Sequence, residues 1–185
     1  KENDVVLRMS KRAGKFTQLS DVIDEVGVDV ARFFYLNRKA EAHLEFDLAT
    51  ALKKTDENPV FYIQYAYVRI CSLLEKARQS AQFDDYLNVL FTGGWNDEEL
   101  VSIVKSMSEH EFAVLRKIVQ LQDILGNIAL GYQTHLLSYY TWELAQALHN
   151  YYTNNKIIDL GNIGQSKVRL FTVILIKDAL EICLD

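Results

Sequence analysis

Arg8, Met9, Ser10, Lys11 and Arg12 open the stretch RMSKRAGK, residues 8–15, where four of eight side chains are cationic and none is acidic. Gly14 allows the run to bend. A flexible loop bearing ammonium groups, guanidinium groups and a hydroxyl can wrap a polyphosphate and tighten as negative charge develops on a leaving group. Flexibility lets such a loop close on the reacting centre and reopen for product release. The residues alone fit a plainer account better, a solvated basic turn joining a strand to a helix. The whole chain is acidic, with a formal charge of −5, so the cations here form a local feature rather than part of a broad field.

A second candidate is Tyr65 with Arg69. On a helix they are one turn apart and share a face. A phenol ring beside a guanidinium can grip an unstacked nucleic-acid base. Tyrosines at helical spacing more often bury their rings against neighbouring helices, and Tyr62 and Tyr65 taken alone read that way. The four histidines, His43, His110, His135 and His149, are scattered, with no carboxylate or cysteine at metal-ligand spacing, so no metal site is expected. Cys71 and Cys183 lie in apolar helical patterns and read as two buried thiols of a reduced compartment. Trp95 reads as a turn residue and Trp142 as core.

The elements that must position these groups are helices. With one proline and eight glycines the chain has few breaks, and apolar residues recur at three-to-four spacing almost throughout. TQLSDVIDEV predicts a helix with Thr17 or Ser20 as cap and an apolar stripe of Val22, Ile23 and Val26, stopped by Gly27. VDVARFFYLNR predicts a second, with Val30, Phe33, Phe34 and Leu36 inward. DLATALKK predicts a short third one capped by Asp47. The best-defined helix starts at Asn58 as cap with Pro59 in the first helical position. NDEELVSIVKSM and SEHEFAVLRKIVQLQDIL predict two more, the latter with Ser108 and Glu111 at capping-box spacing. A long helix over about 128–152 and a last one over about 165–184 complete the chain. Only residues 4–9 read as a strand. The expected fold is mainly α: a helical bundle preceded by a short strand, a basic loop and connecting helices.

The hydrophobic fraction of 49% with 24% charged residues argues against wholesale disorder. The longest apolar run, near the C-terminus, is interrupted by Arg169, Lys177, Asp178 and Glu181, which argues against a membrane span. The N-terminus lacks the pattern of a secretory signal. Residues 61–185 hold ten basic and fourteen acidic side chains, unlike a general nucleic-acid binder, so any contact with RNA must use a local, aromatic-rich site. The strand-like DVVLRM opens at once and EICLD ends within a helical pattern, so the chain is expected to be a piece of a longer protein.

Several motifs carry a resemblance. RMSKR after a short apolar strand is similar to the KMSKS loop of class I aminoacyl-tRNA synthetases, with Arg for Lys at the first position and Arg for Ser at the last. MSKRAGKFTQLSDVIDEVGVDVARFFYL resembles, nearly in register, the segment after that loop in bacterial arginyl-tRNA synthetases. AHLEFDLATA, the helix start NPVFYIQYAYVRI and, more loosely, ALHNYYTNNKII resemble later stretches of the same family. The resemblance implies residues 1–57 as the end of a catalytic domain and residues 58–185 as an α-helical anticodon-binding domain truncated at its C-terminus. It implies Lys11 as the catalytic phosphate contact, with Arg8, Met9, Ser10, Lys11 and Arg12 forming the ATP loop. It places Tyr65, Arg69 and Tyr152 against the tRNA anticodon, and puts Lys156 where the family usually has Arg. The implied activity is arginine–tRNA ligation in the cytoplasm by a monomer. Its partners would be ATP, arginine and arginine-accepting tRNA, with Mg2+ accompanying the nucleotide and neither membrane nor DNA involved. No HIGH-like motif or arginine pocket occurs in the sequence, so this chain alone is expected to be inactive. Two alternatives stay open: another class I synthetase of the cysteinyl type, and a non-catalytic helical interaction module.

Overall fold

The buried Asn58, 3% exposed, organises the junction between the first helices and the main bundle in a computed structural model that describes residues 18–94 and 96–184. Its side-chain oxygen accepts from the Val60 N–H at 3.0 Å, capping the helix behind it. Its amide nitrogen donates to the carbonyls of Ala51 and Lys53, at 2.9 and 3.0 Å. One side chain thus satisfies the start of one helix and the end of the preceding segment.

Among the described residues every regular element is helical: α1 (Leu19–Val26), α2 (Val28–Leu36), α3 (Leu48–Ala51), α4 (Pro59–Arg78), α5 (Ala81–Thr92), α6 (Asp97–Lys105), α7 (Glu109–Gly131), α8 (His135–Asn154) and α9 (Ile163–Leu184). The expected strand over 4–9 and the basic loop lie outside the described residues. In the bundle α8 and α9 pack on each other and each also packs on α4 and α7, with α5 against α4 and α9. Helix α2 leans on α4 and α8, and α1 on α2. Helix α9 is the central rod: Val168, Leu170, Phe171, Val173, Ile174, Ile176, Ala179 and Leu180 are all buried, so it is covered on nearly every side. Each of these side chains larger than alanine contributes about 1.5–3 kcal/mol relative to exposure.

Tyrosine hydroxyls tie the helices together where apolar packing alone would leave polar ends unpaired. Tyr140 of α8 donates to the Lys117 carbonyl of α7, and Tyr86 of α5 to the Lys167 carbonyl of α9, each at 3.0 Å. Tyr67 of α4 donates to Glu181 of α9, which also pairs with Lys177.

Several sequence expectations change in the structure. Residues 81–92, to which no separate helix was assigned, form α5, whose Phe83, Leu87 and Leu90 are buried. The break placed near Ile128 lies later. Gly126 stays helical in α7, and the chain reverses at Tyr132, which takes the left-handed conformation (φ 54°) and donates its N–H to the Ile128 carbonyl. The cap of α1 is Gln18, whose N–H donates to Asp21 at 3.0 Å, while Ser20 lies inside the helix. Leu36 is 44% exposed rather than inward, and Trp142 is 38% exposed rather than core. Cys71 and Cys183 are free and half-buried. Trp95 lies outside the described residues.

Candidate nucleic-acid interface

Helix α4 has no internal Gly or Pro after its first residue, so its outer face carries Phe61, Tyr65 and Arg69 in register, one turn apart. Helix α8 packs against it and brings His149 and Tyr152, three residues apart, to the same edge. The Arg69 guanidinium carbon lies 5.2 Å from the centre of the Tyr65 ring and 4.4 Å from that of Tyr152. It is therefore held by two π faces from two helices, with no carboxylate pairing with it among the described residues. Tyr65 remains 46% exposed, so its ring is available to a ligand.

Aromatic stacking continues to either side. The Phe61 and Tyr65 rings are parallel within 1° at 6.4 Å between centres. His149 stacks on Tyr65 at 5.7 Å and 17°, and meets Tyr62 at 4.5 Å and 54°. Beyond Arg69 the surface opens into a groove of about 580 Å³, lined by Val68, Ser72 and Lys76 of α4 and by Tyr152, Asn155 and Lys156 of α8 and the segment behind it. Three cations, Arg69, Lys76 and Lys156, therefore border one aromatic surface. Lys156 is exposed and pairs with Asp159 at 3.0 Å, which holds the Asp159 carboxyl below the usual carboxylate range.

A second network fixes the groove's floor. Tyr151 and Tyr152 are consecutive, so on a helix they point about 100° apart. Tyr152 faces the groove, whereas Tyr151 is buried and donates to Glu111 Oε1 at 2.7 Å. Glu111 is fully buried on α7, accepts from the backbone and hydroxyl of Ser108, and has Arg169 Nε at 3.8 Å. Arg169 also donates to the Lys156 carbonyl at 2.7 Å, fixing the segment that carries Lys156. Burial alone would raise the Glu111 pKa, but the hydrogen bonds from Ser108 and Tyr151 outweigh it and hold the carboxyl low.

The structure thus brings together Tyr65, Arg69 and Tyr152. Arg8, Met9, Ser10, Lys11 and Arg12 lie outside the described residues. Sequence reasoning set His149 aside with the other histidines; its spacing of three from Tyr152 was the signal that could have found it. His43 and His110 are exposed and His135 is buried. Among the described residues no three His, Cys, Asp or Glu side chains gather as a metal site. No helix of the described residues is long and apolar enough to cross a membrane.

Residues 63–185 match the family described as the DALR anticodon binding domain. The chain belongs to that family. Over 185 residues, 98% of this chain and 31% of the relative, it is 35% identical to an arginine–tRNA ligase of Halalkalibacterium halodurans. Over 157 residues, 85% of this chain and 26% of the relative, it is 40% identical to an arginine–tRNA ligase of Lawsonia intracellularis. A crystal structure assigned as an arginyl-tRNA synthetase from Campylobacter jejuni superposes with a TM-score of 0.73 at 27% identity, covering 98% of this chain and 37% of that one. The chain spans under a third of the length of these two curated relatives. In the anticodon-binding bundle, the matched region holds α7, α8, α9 and nearly all of α4, and with them Tyr65, Arg69 and Tyr152.

Proposed function

We propose that this chain is part of an arginine–tRNA ligase, with residues 58–185 binding the anticodon of arginine-accepting tRNA and residues 1–57 ending the catalytic domain. The observation that carries the reading is the Arg69 guanidinium held between Tyr65 and Tyr152 on the outer edge of α4 and α8. An extruded anticodon base gains by stacking on the exposed Tyr65 ring, about 1–3 kcal/mol per base in comparable sites. Arg69 offers its remaining N–H donors to a base edge or a phosphate, and Lys76 and Lys156 supply charge along the backbone path. A local aromatic grip with three cations suits an acidic protein better than a broad electrostatic field. The relatives' names favour arginine over the cysteinyl type, and the groove favours RNA binding over a purely structural bundle.

In the whole enzyme, arginine and ATP form arginyl-adenylate and release pyrophosphate, and the arginyl group then passes to a hydroxyl of the terminal ribose of the tRNA with release of AMP. Lys11, with Arg8, Met9, Ser10 and Arg12 around it, would contact the ATP phosphates and stabilise the charge of the departing pyrophosphate. Mg2+ would enter the whole enzyme as the companion of ATP. We place the enzyme in the cytoplasm as a monomer, and expect this chain alone to be inactive.

Binding of arginine-accepting tRNA to this chain, compared with unrelated tRNAs, tests the interface. The pair Tyr65→Ala and Arg69→Ala should weaken cognate binding; equal binding of all tRNAs by native and doubly substituted chains would sink the reading. For the loop, Lys11→Ala in the whole enzyme should slow arginine-dependent pyrophosphate exchange far more than it alters arginine binding. An unchanged exchange rate would remove the phosphate role.

A further inference from the structure

We propose that His149 is a positioning residue of this groove that acts only in its neutral form, holding the Arg69 guanidinium so that RNA binding weakens on acidification. The inference rests on the anticodon-interface reading and adds to it a residue and a pH dependence.

Arg69 Nη1 and His149 Nδ1 are 3.2 Å apart. A guanidinium can only donate, so Nδ1 must accept and cannot carry a proton. The ring proton is thereby assigned to Nε2, which is buried and makes no well-formed hydrogen bond, with the Tyr62 backbone as its favourable neighbour. Stacking on Tyr65 and contact with Tyr62 fix the ring plane, and of the two flips that plane allows, the one observed turns Nδ1 to Arg69. Tyr65 and Tyr152 hold the guanidinium by its faces, and His149 sets its rotation about its own axis. That rotation decides which N–H groups remain for RNA.

Protonation of His149 removes the acceptor and places a second cation beside the guanidinium in a half-buried site. Burial, aided by the Arg69 charge and opposed by the Tyr62 backbone, lowers the His149 pKa from 6.5. The groups facing the ring are Tyr62, Tyr65 and Arg69 from α4 and Tyr152 from its own helix. Asp56 acts on Tyr62, and no carboxylate is paired with the imidazole among the described residues. The neutral, binding-competent ring is therefore complete at neutral pH and is lost as pH falls through the lowered value. Phosphates of the RNA backbone keep their charge over the same range, so the change belongs to the protein.

The test measures binding of arginine-accepting tRNA to this chain at constant salt from about pH 8 down to about pH 4.5, well past ordinary histidine titration because the His149 value is lowered. The native chain should lose about tenfold in affinity relative to a His149→Asn chain as the pH falls, the scale of one hydrogen bond to a charged group. His149→Ala should bind about tenfold more weakly at neutral pH, with no such pH step. In His149→Asn the amide oxygen can take the place of Nδ1, so binding should be largely rescued while the step disappears. His43, His110 and His135 are present in all these chains and set the common background. Nitrogen-15 shifts of the imidazole should report Nε2–H and an unprotonated Nδ1. If Arg69→Ala weakens binding but His149→Asn keeps the native step, or Nδ1 carries the proton, the inference fails while the interface stands. If Arg69→Ala and Tyr65→Ala bind like the native chain, the interface reading fails and the proposal with it.

Discussion

The Arg69 guanidinium of α4 lies 4.4 Å over the Tyr152 ring of α8, so this cation is fixed between helices rather than free to sweep solvent. Its geometry, and not only its charge, should therefore matter. Arg69→Lys keeps the charge but loses the planar fork that lies over an aromatic face and donates in several directions. We expect about tenfold weaker tRNA binding, or about 1.4 kcal/mol. The melting temperature should change little, because Arg69 is half-buried at the rim. Binding isotherms and thermal melts of the two chains provide the check. Equal affinities would mean that only a point charge is read.

The Tyr151–Glu111 bond should be worth more to stability than to binding. Tyr151→Phe leaves the fully buried carboxylate with one donor fewer and should cost about 1–3 kcal/mol. Glu111→Ala should cost about 2–4 kcal/mol, since it also frees a buried hydroxyl and strips Arg169 of its carboxylate. The Glu111 carboxyl titrates lower in the folded chain than its ordinary 4.5. Its contribution is thus complete above the unfolded value and is lost as pH falls through the folded one. Urea denaturation should show an acid-side loss of stability that Glu111→Gln reduces. A native-like acid slope in that variant would assign the effect elsewhere.

These residues also mark how far the sequence could be read. Caps were legible because they are local: Asn58, Asp47 and the Ser108–Glu111 pair each act within a few residues of themselves. The capping box hid a further role, since nothing within α7 shows that Tyr151, forty positions on, donates to the same carboxylate. Helix α5 was written in the spacing of Phe83, Leu87 and Leu90, but its start at Ser80 follows α4 so closely that the apolar pattern runs on. Tyr132 was illegible for the opposite reason. A left-handed backbone at tyrosine contradicts local preference and is imposed by the turn between α7 and α8. Of the candidate surface, helical spacing gives the shared face of Tyr65 and Arg69, while their role and the place of Tyr152 come from the resemblance. His149 required knowing that α8 crosses α4 at that height.

The Asn58 side chain separates two kinds of helix-cap variant. Asn58→Ala removes the cap and leaves the Ala51 and Lys53 carbonyls without their donor, in a site 3% exposed, at a cost of about 2–3 kcal/mol. Asn58→Asp keeps an acceptor for the Val60 N–H and is normally an equally good cap. Here it should fail to rescue, because a carboxylate cannot donate and would face two carbonyl oxygens. Denaturation midpoints of the two variants should therefore be similarly low. A stable Asp variant would show that capping alone, and not the link to the α3 segment, holds this junction.

Tyr67 supplies a marker on the alkaline side. Its hydroxyl donates to Glu181, and this bond, reinforced by burial, pushes the phenol pKa up to about 12 from 10. A folded value above the unfolded one means that the contribution to stability is present below about 10 and is lost as pH rises through about 12. Lys177 opposes the rise, since its cation favours the phenolate, yet it also holds Glu181 ionised as acceptor. Ultraviolet titration should show one tyrosinate fewer near pH 12 in Tyr67→Phe than in the native chain, ahead of the still later steps of Tyr86, Tyr140 and Tyr151, which burial also raises. In Glu181→Gln the acceptor loses its charge while Lys177 remains, so the step should move down towards 10. A step that stays near 12 in that variant would make burial, not the α4–α9 hydrogen bond, the cause.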